Sequence, residues 1–283
     1  MLEIRQLGKT YGDGEGATHA IGSISFGIEE GEFVCVVGPS GCGKTTLLKC
    51  MSGLLAPTTG AIELKGERVT RPPEAMALVF QEYSRSLLPW MSVRGNVTLP
   101  LRHKKLAKGE AARLVEEAVE AVGLTGFIDR YPWELSGGMQ QRVAIARALA
   151  YQPEILLMDE PFASVDAQTR GDLEDLVLQV RERYGVTVLF VTHDIDESVY
   201  LADRIIVLTP SPTEVREVLS VDLPHPRDQV DTKELPEFAR LRAHVYRLIK
   251  REKANRGGQE DASLRAGIGG AGGDGTTGER VRG

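Results

Sequence analysis

The segment from residue 38 to residue 45 reads GPSGCGKT and fits the pattern G-x-x-x-x-G-K-[ST]. A β-rich apolar run, residues 32–37, precedes it, and residues 46–51 read as the start of a helix. Glycines allow a tight turn that points successive backbone N–H groups into one concavity, and the helix N-terminus adds partial positive charge. A glycine-rich turn can match by chance, but this strand–loop–helix context favours a phosphate-binding loop. The residues predicted to contact the phosphates are Gly38, Pro39, Ser40, Gly41, Cys42, Gly43, Lys44, Thr45 and Thr46.

Two adjacent carboxylates, Asp159 and Glu160, follow the continuous apolar run 155–158, which is typical of a strand buried on both faces. Open α/β sheets bind ligands at the carboxyl ends of their strands. We therefore expect Asp159 to hold Mg²⁺ together with the Thr45 hydroxyl, and Lys44 to reach the β- and γ-phosphates. Glu160 is the candidate base that orients and deprotonates the attacking water. A solvated strand end is the alternative interpretation of this acid pair.

Two more buried runs end in a polar side chain. Residues 186–192 lead to His193, and residues 76–80 lead to Gln81. We expect His193 to contact the γ-phosphate, and Gln81 to contact Mg²⁺ or the attacking water. A structural histidine and an ordinary polar strand cap are the alternatives, and only the series of motifs favours the catalytic roles.

The ordered series resembles the ATP-binding subunit of ABC transporters over roughly residues 1–230. One departure is Ser164-Val165-Asp166, where the family commonly has Ala-Leu-Asp. Tyr11 is placed like the family residue that stacks on adenine, with a half-buried strand-end aromatic as the alternative. The matching segments are the Walker A loop at 38–45, the Q-loop at Gln81, the signature at 135–140, the Walker B strand at 155–160, the D-loop at 163–166 and the switch histidine at His193.

The resemblance implies an α/β fold: a P-loop ABC ATPase core with an antiparallel β subdomain and a helical signature subdomain. It also implies a head-to-tail dimer, in which ATP on one copy's Walker A loop is covered by the other copy's signature. Ser136, Gly137 and Gly138 open a helix whose first N–H groups are free, so they form a second anion site. Gln140 and Asp166 complete the residues expected to face the bound ATP.

The formal net charge of −6 argues against nucleic acid as a partner. No apolar run approaches the roughly 20 residues that cross a bilayer, and the N-terminus lacks a signal-peptide core. The sequence therefore predicts a cytosolic protein that reaches the membrane through a partner. The three cysteines form neither a zinc pattern nor a disulfide framework. Cys35 and Cys50 are expected to be apolar fillers, whereas the helix N-terminus beside Cys42 favours its thiolate.

The predicted domain organisation has three parts: an ATPase domain at 1–230, with a helical subdomain at about 82–150, a helical extension at 231–255 and a disordered glycine-rich tail at 256–283. Within the first 37 residues, alternating patterns and a glycine-rich turn predict antiparallel strands. Residues 236–253 read as an amphipathic helix with basic flanks. We expect it to pack on its own domain rather than on a membrane surface.

Two function classes remain in competition: the motor subunit of a membrane transporter, and a soluble ABC ATPase that acts on a cytosolic macromolecular partner. A single phosphate loop and the lack of a long coiled-coil insertion favour the transporter. The absence of a fused membrane domain fits importers, and the segments 84–90 and 212–227 resemble the nitrate, sulfonate and taurine group. The implied partners are a second copy, integral membrane permease subunits at the cytoplasmic face of the inner membrane and, indirectly, a solute-binding protein. Leu87, Leu88 and Trp90 are the predicted permease-docking surface.

Overall fold

The computed structural model describes residues 1–81 and 86–251, with Glu15 described by its backbone alone. Residues 82–85, at the start of the predicted helical subdomain, residues 252–255, at the end of the predicted helical extension, and the predicted tail at 256–283 lie outside the described residues. None of the described helices combines the length and the apolar character needed to cross a bilayer.

Strands and helices alternate along most of the described chain. The strands are β1 (Leu2–Tyr11), β2 (Thr18–Ile28), β3 (Phe33–Val37), β4 (Thr59–Leu64), β5 (Glu67–Arg68), β6 (Met76–Val79), β7 (Ile155–Asp159), β8 (Thr187–Thr192), β9 (Arg204–Leu208) and β10 (Thr213–Ser220). The α-helices are α1 (Lys44–Met51), α2 (Val93–Thr98), α3 (Lys108–Ala121), α4 (Gly137–Ala150), α5 (Ala167–Tyr184), α6 (Ile195–Leu201), α7 (Asp231–Glu234) and α8 (236–251). Short 3₁₀ helices span Gly14–Gly16, Leu99–His103, Thr125–Phe127 and Pro132–Glu134.

The ten described strands form one sheet in the order β5-β4-β1-β2-β10-β9-β3-β8-β7-β6. The β5-β4-β1-β2 part is antiparallel, and β9, β3, β8, β7 and β6 run parallel to one another. The parallel pairing of β2 with β10 joins the two parts. The predicted α/β class with an antiparallel β subdomain is thereby confirmed.

The central strand β3 is buried on both faces, which explains its continuous apolar sequence. Phe33, Cys35 and Val37 point into the larger hydrophobic cluster, which also contains the inner faces of the helices α3, α4 and α5. Val34 and Val36 point into the second cluster on the opposite face, against α1 and the antiparallel strands. Because side chains alternate along a strand, a strand between two clusters must be apolar at every position.

The helical subdomain consists of α2, α3 and α4, which pack on one another and share the larger cluster. The predicted apolar stripe of α3 is buried, and Gly123 follows the helix with φ +72°, a left-handed conformation suited to its end. The Ser92 hydroxyl caps α2 by accepting a hydrogen bond from the Gly95 N–H at 3.2 Å. Asn96 is buried and binds the backbone of the segment that precedes α2, which orders the approach to this subdomain.

The C-terminal helix α8 packs on the chain itself. Phe238, Leu241, Val245 and Leu248 are buried and belong to the larger cluster, whereas Tyr246 is 56% exposed on the opposite face. The apolar stripe predicted from the sequence is therefore an internal contact, and the helix adds its own side chains to the main core.

We predict that Phe238→Ala lowers the free energy of unfolding by about 3–5 kcal/mol, because it removes a buried aromatic side chain and leaves a cavity. Tyr246→Ala, on the exposed face of the same helix, is the matched control and is expected to change it by about 0.5 kcal/mol or less. Urea denaturation followed by circular dichroism measures both. Equal, small effects of the two substitutions would show that α8 does not contribute to the core.

Candidate active site

Four parallel strands bring the predicted residues to one edge of the sheet. β3 leads into the glycine-rich loop, β7 ends at Asp159, β8 leads to His193, and Gln81 follows β6. β8 lies between β3 and β7, and β6 pairs with the other side of β7. Because the strands are parallel, their carboxyl ends lie side by side, which is where open α/β sheets bind ligands.

The glycine-rich loop has the backbone conformation that a phosphate cradle requires. Gly41 and Gly43 have φ values of +75° and +101°, a region that favours glycine, and Gly43 caps the start of α1. The Lys44 ammonium is buried and donates to the carbonyl oxygens of Gly38 at 3.1 Å and Pro39 at 3.3 Å. These two hydrogen bonds hold the Lys44 side chain against the backbone of the loop, close to the first turn of α1.

Glu160 links the loop to the end of β8. Its Oε1 lies 3.5 Å from Lys44 Nζ, and its Oε2 lies 2.8 Å from His193 Nδ1. The Glu160 backbone has φ +43° and its N–H donates to the Val191 carbonyl at 2.8 Å. A non-glycine residue in this region costs about 1–3 kcal/mol, and such strain clusters at functional sites. The three predicted residues Lys44, Glu160 and His193 are therefore brought together.

Asp159 and Thr45 form a second contact beside this cluster. Burial raises the pKa of Asp159, and the hydrogen bond with the Thr45 side chain opposes that rise. Asp159 Oδ1 is buried and has no hydrogen-bond partner among the described residues. A buried carboxylate oxygen without a partner, next to a hydroxyl, is the donor set that suits a hard divalent cation such as Mg²⁺.

Gln81 is exposed at the bend that follows β6. Val79, two residues earlier, pairs with Met158, the residue before Asp159. The structure therefore places Gln81 at the same sheet edge as the acid pair, on its outer side.

Tyr11 lies at the entrance to the loop, where β1 ends. Its ring is 43% exposed, and its hydroxyl is 3.3 Å from Thr46 Oγ1 on α1. Lys9 Nζ lies 5.3 Å from the ring centroid, a contact that the sequence analysis did not anticipate. The exposed ring beside the phosphate loop is consistent with a stacking platform.

The signature segment opens α4 as predicted, with Ser136 as its N-cap. The Ser136 hydroxyl accepts from the Met139 N–H at 3.3 Å, which leaves Gly137 and Gly138 as the first residues of the helix. A β-carbon at Gly138 would lie 2.3 Å from the Thr169 methyl group on α5. The glycine thus allows the N-termini of α4 and α5 to approach closely.

The remaining two predicted nucleotide-facing residues stabilise their own segments. Gln140 Nε2 donates to the carbonyls of Pro132 at 3.0 Å and Leu135 at 3.2 Å. Asp166 caps α5 by accepting from the Thr169 N–H at 3.0 Å and hydroxyl at 2.7 Å. Among the described residues, no hydrogen bond or ion pair joins this signature group to the phosphate loop.

The expectation that Cys42 carries a reactive thiolate is wrong. Cys42 is 1% exposed, and burial raises the pKa of its thiol by more than nearby Lys44 lowers it. The side chain points inward, since its Sγ would lie 2.9 Å from a β-carbon at Gly38. The expected apolar character of Cys35 and Cys50 holds, because both are buried.

One residue of the predicted docking surface is not on the surface. Leu87 is 2% exposed and packs in the larger hydrophobic cluster, and Leu88 is half-buried. Trp90 is 68% exposed, and Phe80, which the sequence analysis placed in a buried run, is 43% exposed. Of the three residues predicted to dock the permease, Trp90 is therefore the exposed one, and Phe80 is a further exposed aromatic residue.

The phosphate loop, the acid pair and the histidine lie together at the carboxyl ends of the parallel strands. This arrangement on an α/β fold is that of a P-loop ATPase. A model of the ABC transporter family matches residues 21–163. The chain belongs to this family and is an ABC-type ATPase that binds ATP.

Several relatives are similar to this chain along most of its own length. The chain is 45% identical over 251 residues to an uncharacterized ABC transporter ATP-binding protein of Methanocaldococcus jannaschii, covering 89% of this chain and 92% of that protein. It is 41% identical to the nitrate import ATP-binding protein NrtD of Synechococcus elongatus, covering 90% and 93%. It is 42% identical to an aliphatic sulfonates import ATP-binding protein of Bacillus thuringiensis subsp. konkukian, covering 86% and 94%. It spans 38% of the longer bicarbonate transport protein CmpC of Synechocystis sp..

A solved structure supports the same assignment. The chain matches a dimeric post-hydrolysis state of an ATP-binding cassette bound to ADP and Pi, with a TM-score of 0.69 and 34% identity. The match covers 78% of this chain and 99% of that chain.

We predict that all three thiols react slowly with Ellman's reagent at pH 8 in the folded protein, because burial raises each thiol pKa above its ordinary value and so reduces the thiolate fraction. The same sample in guanidinium chloride is the control and should release three equivalents at once. Rapid modification of Cys42 in the folded protein, located by peptide mass spectrometry, would contradict the buried position.

Proposed function

We propose that this chain is the ATP-hydrolysing subunit of an importer for a small anion, and that it works as a head-to-tail dimer. The observation that carries the catalytic part is the contact of Glu160 with both Lys44 and His193, beside the Asp159–Thr45 pair. This arrangement supplies a base, a phosphate-binding cation and a metal-binding pair within one sheet edge.

In the proposed mechanism, the backbone N–H groups of the glycine-rich loop and the Lys44 ammonium bind the phosphates of ATP. Thr45 and Asp159 would hold Mg²⁺, with Gln81 as a further oxygen donor, and the chemistry supplied by such an ion would be neutralisation of charge on the phosphates. Tyr11 stacks on the adenine ring.

Glu160 accepts the proton of the attacking water in this mechanism. His193 contacts the Glu160 carboxylate through Nδ1, and in its imidazolium form, which has two N–H donors, its Nε2 would also donate to the γ-phosphate. The Lys44 ammonium lies within ion-pair distance of Glu160, so a bound phosphate competes with this carboxylate for the same cation. When a phosphate binds Lys44, the Glu160 carboxylate would therefore leave this ion pair and become available as the base.

The second copy is assigned the signature side of the site. Ser136 and Gly137 are exposed, Gly138 is covered by Thr169, and Asp166 caps the adjacent α5. Two exposed helix N-termini held side by side suit the phosphates of an ATP bound to another chain. The dimeric state of the similar cassette with ADP and Pi supports this arrangement.

The importer assignment rests on the named relatives and on two exposed aromatic side chains. The relatives are named for import of nitrate and aliphatic sulfonates and for transport of bicarbonate, which share an anionic character. Trp90 and Phe80 lie on either side of Gln81 in sequence order and supply exposed aromatic area for a membrane permease at the cytoplasmic face. A solute-binding protein would deliver the anion to that permease.

We predict that Glu160→Gln keeps ATP binding and lowers kcat about 10²–10⁴-fold, because the amide cannot accept a proton from water. Glu154→Gln, an exposed residue just before β7 that pairs with Lys65, is the matched control and should keep wild-type turnover. Phosphate release measures turnover, and size-exclusion chromatography with ATP should show a persistent dimer for Glu160→Gln. Wild-type turnover in Glu160→Gln would remove Glu160 from the mechanism.

We predict that Trp90→Ala weakens co-purification with the permease by about 2 kcal/mol or more, because exposed tryptophans at interfaces contribute energies of this size. Since the Trp90 side chain is 68% exposed, the Trp90→Ala variant should keep the thermal midpoint and the ATP binding of the wild type. Trp133→Ala removes a similarly exposed indole, 65%, elsewhere on the helical subdomain and is the matched control. Unchanged co-purification of Trp90→Ala would place the docking surface elsewhere.

A further inference from the structure

Arg170 lies in the first turns of α5 and contacts three residues in two other segments. Its Nη1 donates to Asp194 Oδ2 at 3.0 Å, and its Nε lies 3.6 Å from Glu197 Oε1 on α6. Its Nη2 donates to the Val165 carbonyl at 3.4 Å, within the loop that follows Glu160. One guanidinium therefore joins the 163–166 loop to the residues that follow His193.

Both chain neighbours of His193 are held by the same cluster. The Thr192 hydroxyl donates to Glu197 Oε2 at 2.5 Å and accepts from the Asp194 N–H at 2.9 Å. Asp194 Oδ1 in turn caps α6 by accepting from the N–H groups of Asp196 and Glu197. The backbone on either side of His193 thus depends on the carboxylates that Arg170 contacts.

Both groups of residues line one small cavity of about 30 Å³. Glu160 and His193 line it together with Arg170, Asp194 and Glu197, and Thr192 and Ala163 complete the lining. Arg170 therefore lies in the immediate surroundings of the catalytic pair.

Arg170 faces two carboxylates beside this cavity. Glu197 is 4% exposed, and burial raises the pKa of its carboxyl to about 7; the Thr192 hydroxyl and Arg170 oppose this rise, and Asp194 and Glu174 add to it. Glu174 has its own partner in Lys233, and Asp196 has Arg242. Among the described residues, Arg170 pairs with both Asp194 and Glu197, so loss of its guanidinium removes the contact that ties these two carboxylates to the 163–166 loop.

We infer that Arg170 is a positioning residue that couples the 163–166 loop to His193, so that a shift of this loop changes the distance between His193 and Glu160. The inference rests on the proposed roles of Glu160, His193 and the loop residue Asp166, which faces the second copy in that proposal. Dimer formation then sets the hydrolytic geometry of each chain through Arg170. A plain stabilising ion pair is the competing interpretation, and it predicts loss of stability without a selective loss of kcat.

The test compares Arg170→Gln, Arg170→Lys and Asp194→Asn in the full-length chain. If Arg170 positions His193, Arg170→Gln lowers kcat about 10-fold to 100-fold while the Kd for ATP and the thermal midpoint stay near wild type, because a small misplacement at the reacting atoms has this effect. Arg170→Lys keeps the charge and should recover part of the rate. The double variant Arg170→Gln/Asp194→Asn should lose no more than the worse single variant.

Arg242→Gln is the matched control, since Arg242 pairs with Asp196 on the same helix α6 at 3.7 Å, on the exposed side. It should leave kcat and Kd unchanged. A second readout is independent of turnover: ¹⁵N-histidine spectra of the five histidines, with His193 assigned from His193→Gln, should show a shifted His193 signal in Arg170→Gln and not in Arg242→Gln.

Three results would overturn the inference. They are wild-type kcat in Arg170→Gln, an unshifted His193 signal, and a rate loss fully explained by a smaller folded fraction. If Arg170→Gln does not fold, Arg170→Lys and Asp194→Asn give the same comparison. Glu160→Gln is measured alongside: if it keeps turnover, the proposed function fails, whereas an inactive Glu160→Gln with a fully active Arg170→Gln rejects the inference alone.

Discussion

The complete burial of three adjacent parallel strands is the constraint on which the rest of the structure depends. β3, β8 and β7 are buried at every residue and alternate their side chains between two hydrophobic clusters. A polar catalytic group without a partner is costly within such strands, so the side chains that surround the phosphates lie at or just beyond the strand ends. The phosphate loop, Asp159 and His193 lie at one edge for this reason, and the helices on both faces fix the spacing between them.

The strained backbone of Glu160 lies directly after one of these buried strands. A buried strand ends at Asp159, and the next residue turns into a left-handed conformation that most side chains avoid. Its N–H still pairs with β8, while its carboxylate reaches Lys44 and His193. The backbone is therefore held in this unfavourable conformation from several directions, which is how folded proteins keep a reacting group aimed at its substrate.

The sequence predicted those features whose causes lie close together in the chain. The glycine pattern around Lys44, the continuous apolar runs before Asp159 and His193, and the helix start at residues 136–138 are local signals, and each is found where the pattern indicated. The burial of Cys42 is different, because it depends on how its side chain packs beneath Gly38 and against the second cluster. A motif shows which residues form the loop but not which way each side chain points.

Contacts between distant segments could not be predicted in the same way. Leu87 is buried because it packs in the larger hydrophobic cluster, and nothing in the residues around it separates this outcome from the exposure of Trp90. Arg170 carries no motif: it is one of many arginines until the fold places Asp194 and Glu197 beside it. Residues that act through others are therefore the class that a single sequence hides.

The close approach of Gly138 and Thr169 has a mechanical meaning. Gly138 has an ordinary helical backbone, so the requirement for glycine comes from the methyl group of the neighbouring helix, which occupies the place of a β-carbon. Steric contacts of this kind transmit a displacement from one helix to the other without any bond, because closely packed atoms resist further compression. The starts of α4 and α5 should consequently move as a unit, and the volumes allowed at positions 138 and 169 are linked: a larger side chain at one position requires a smaller one at the other.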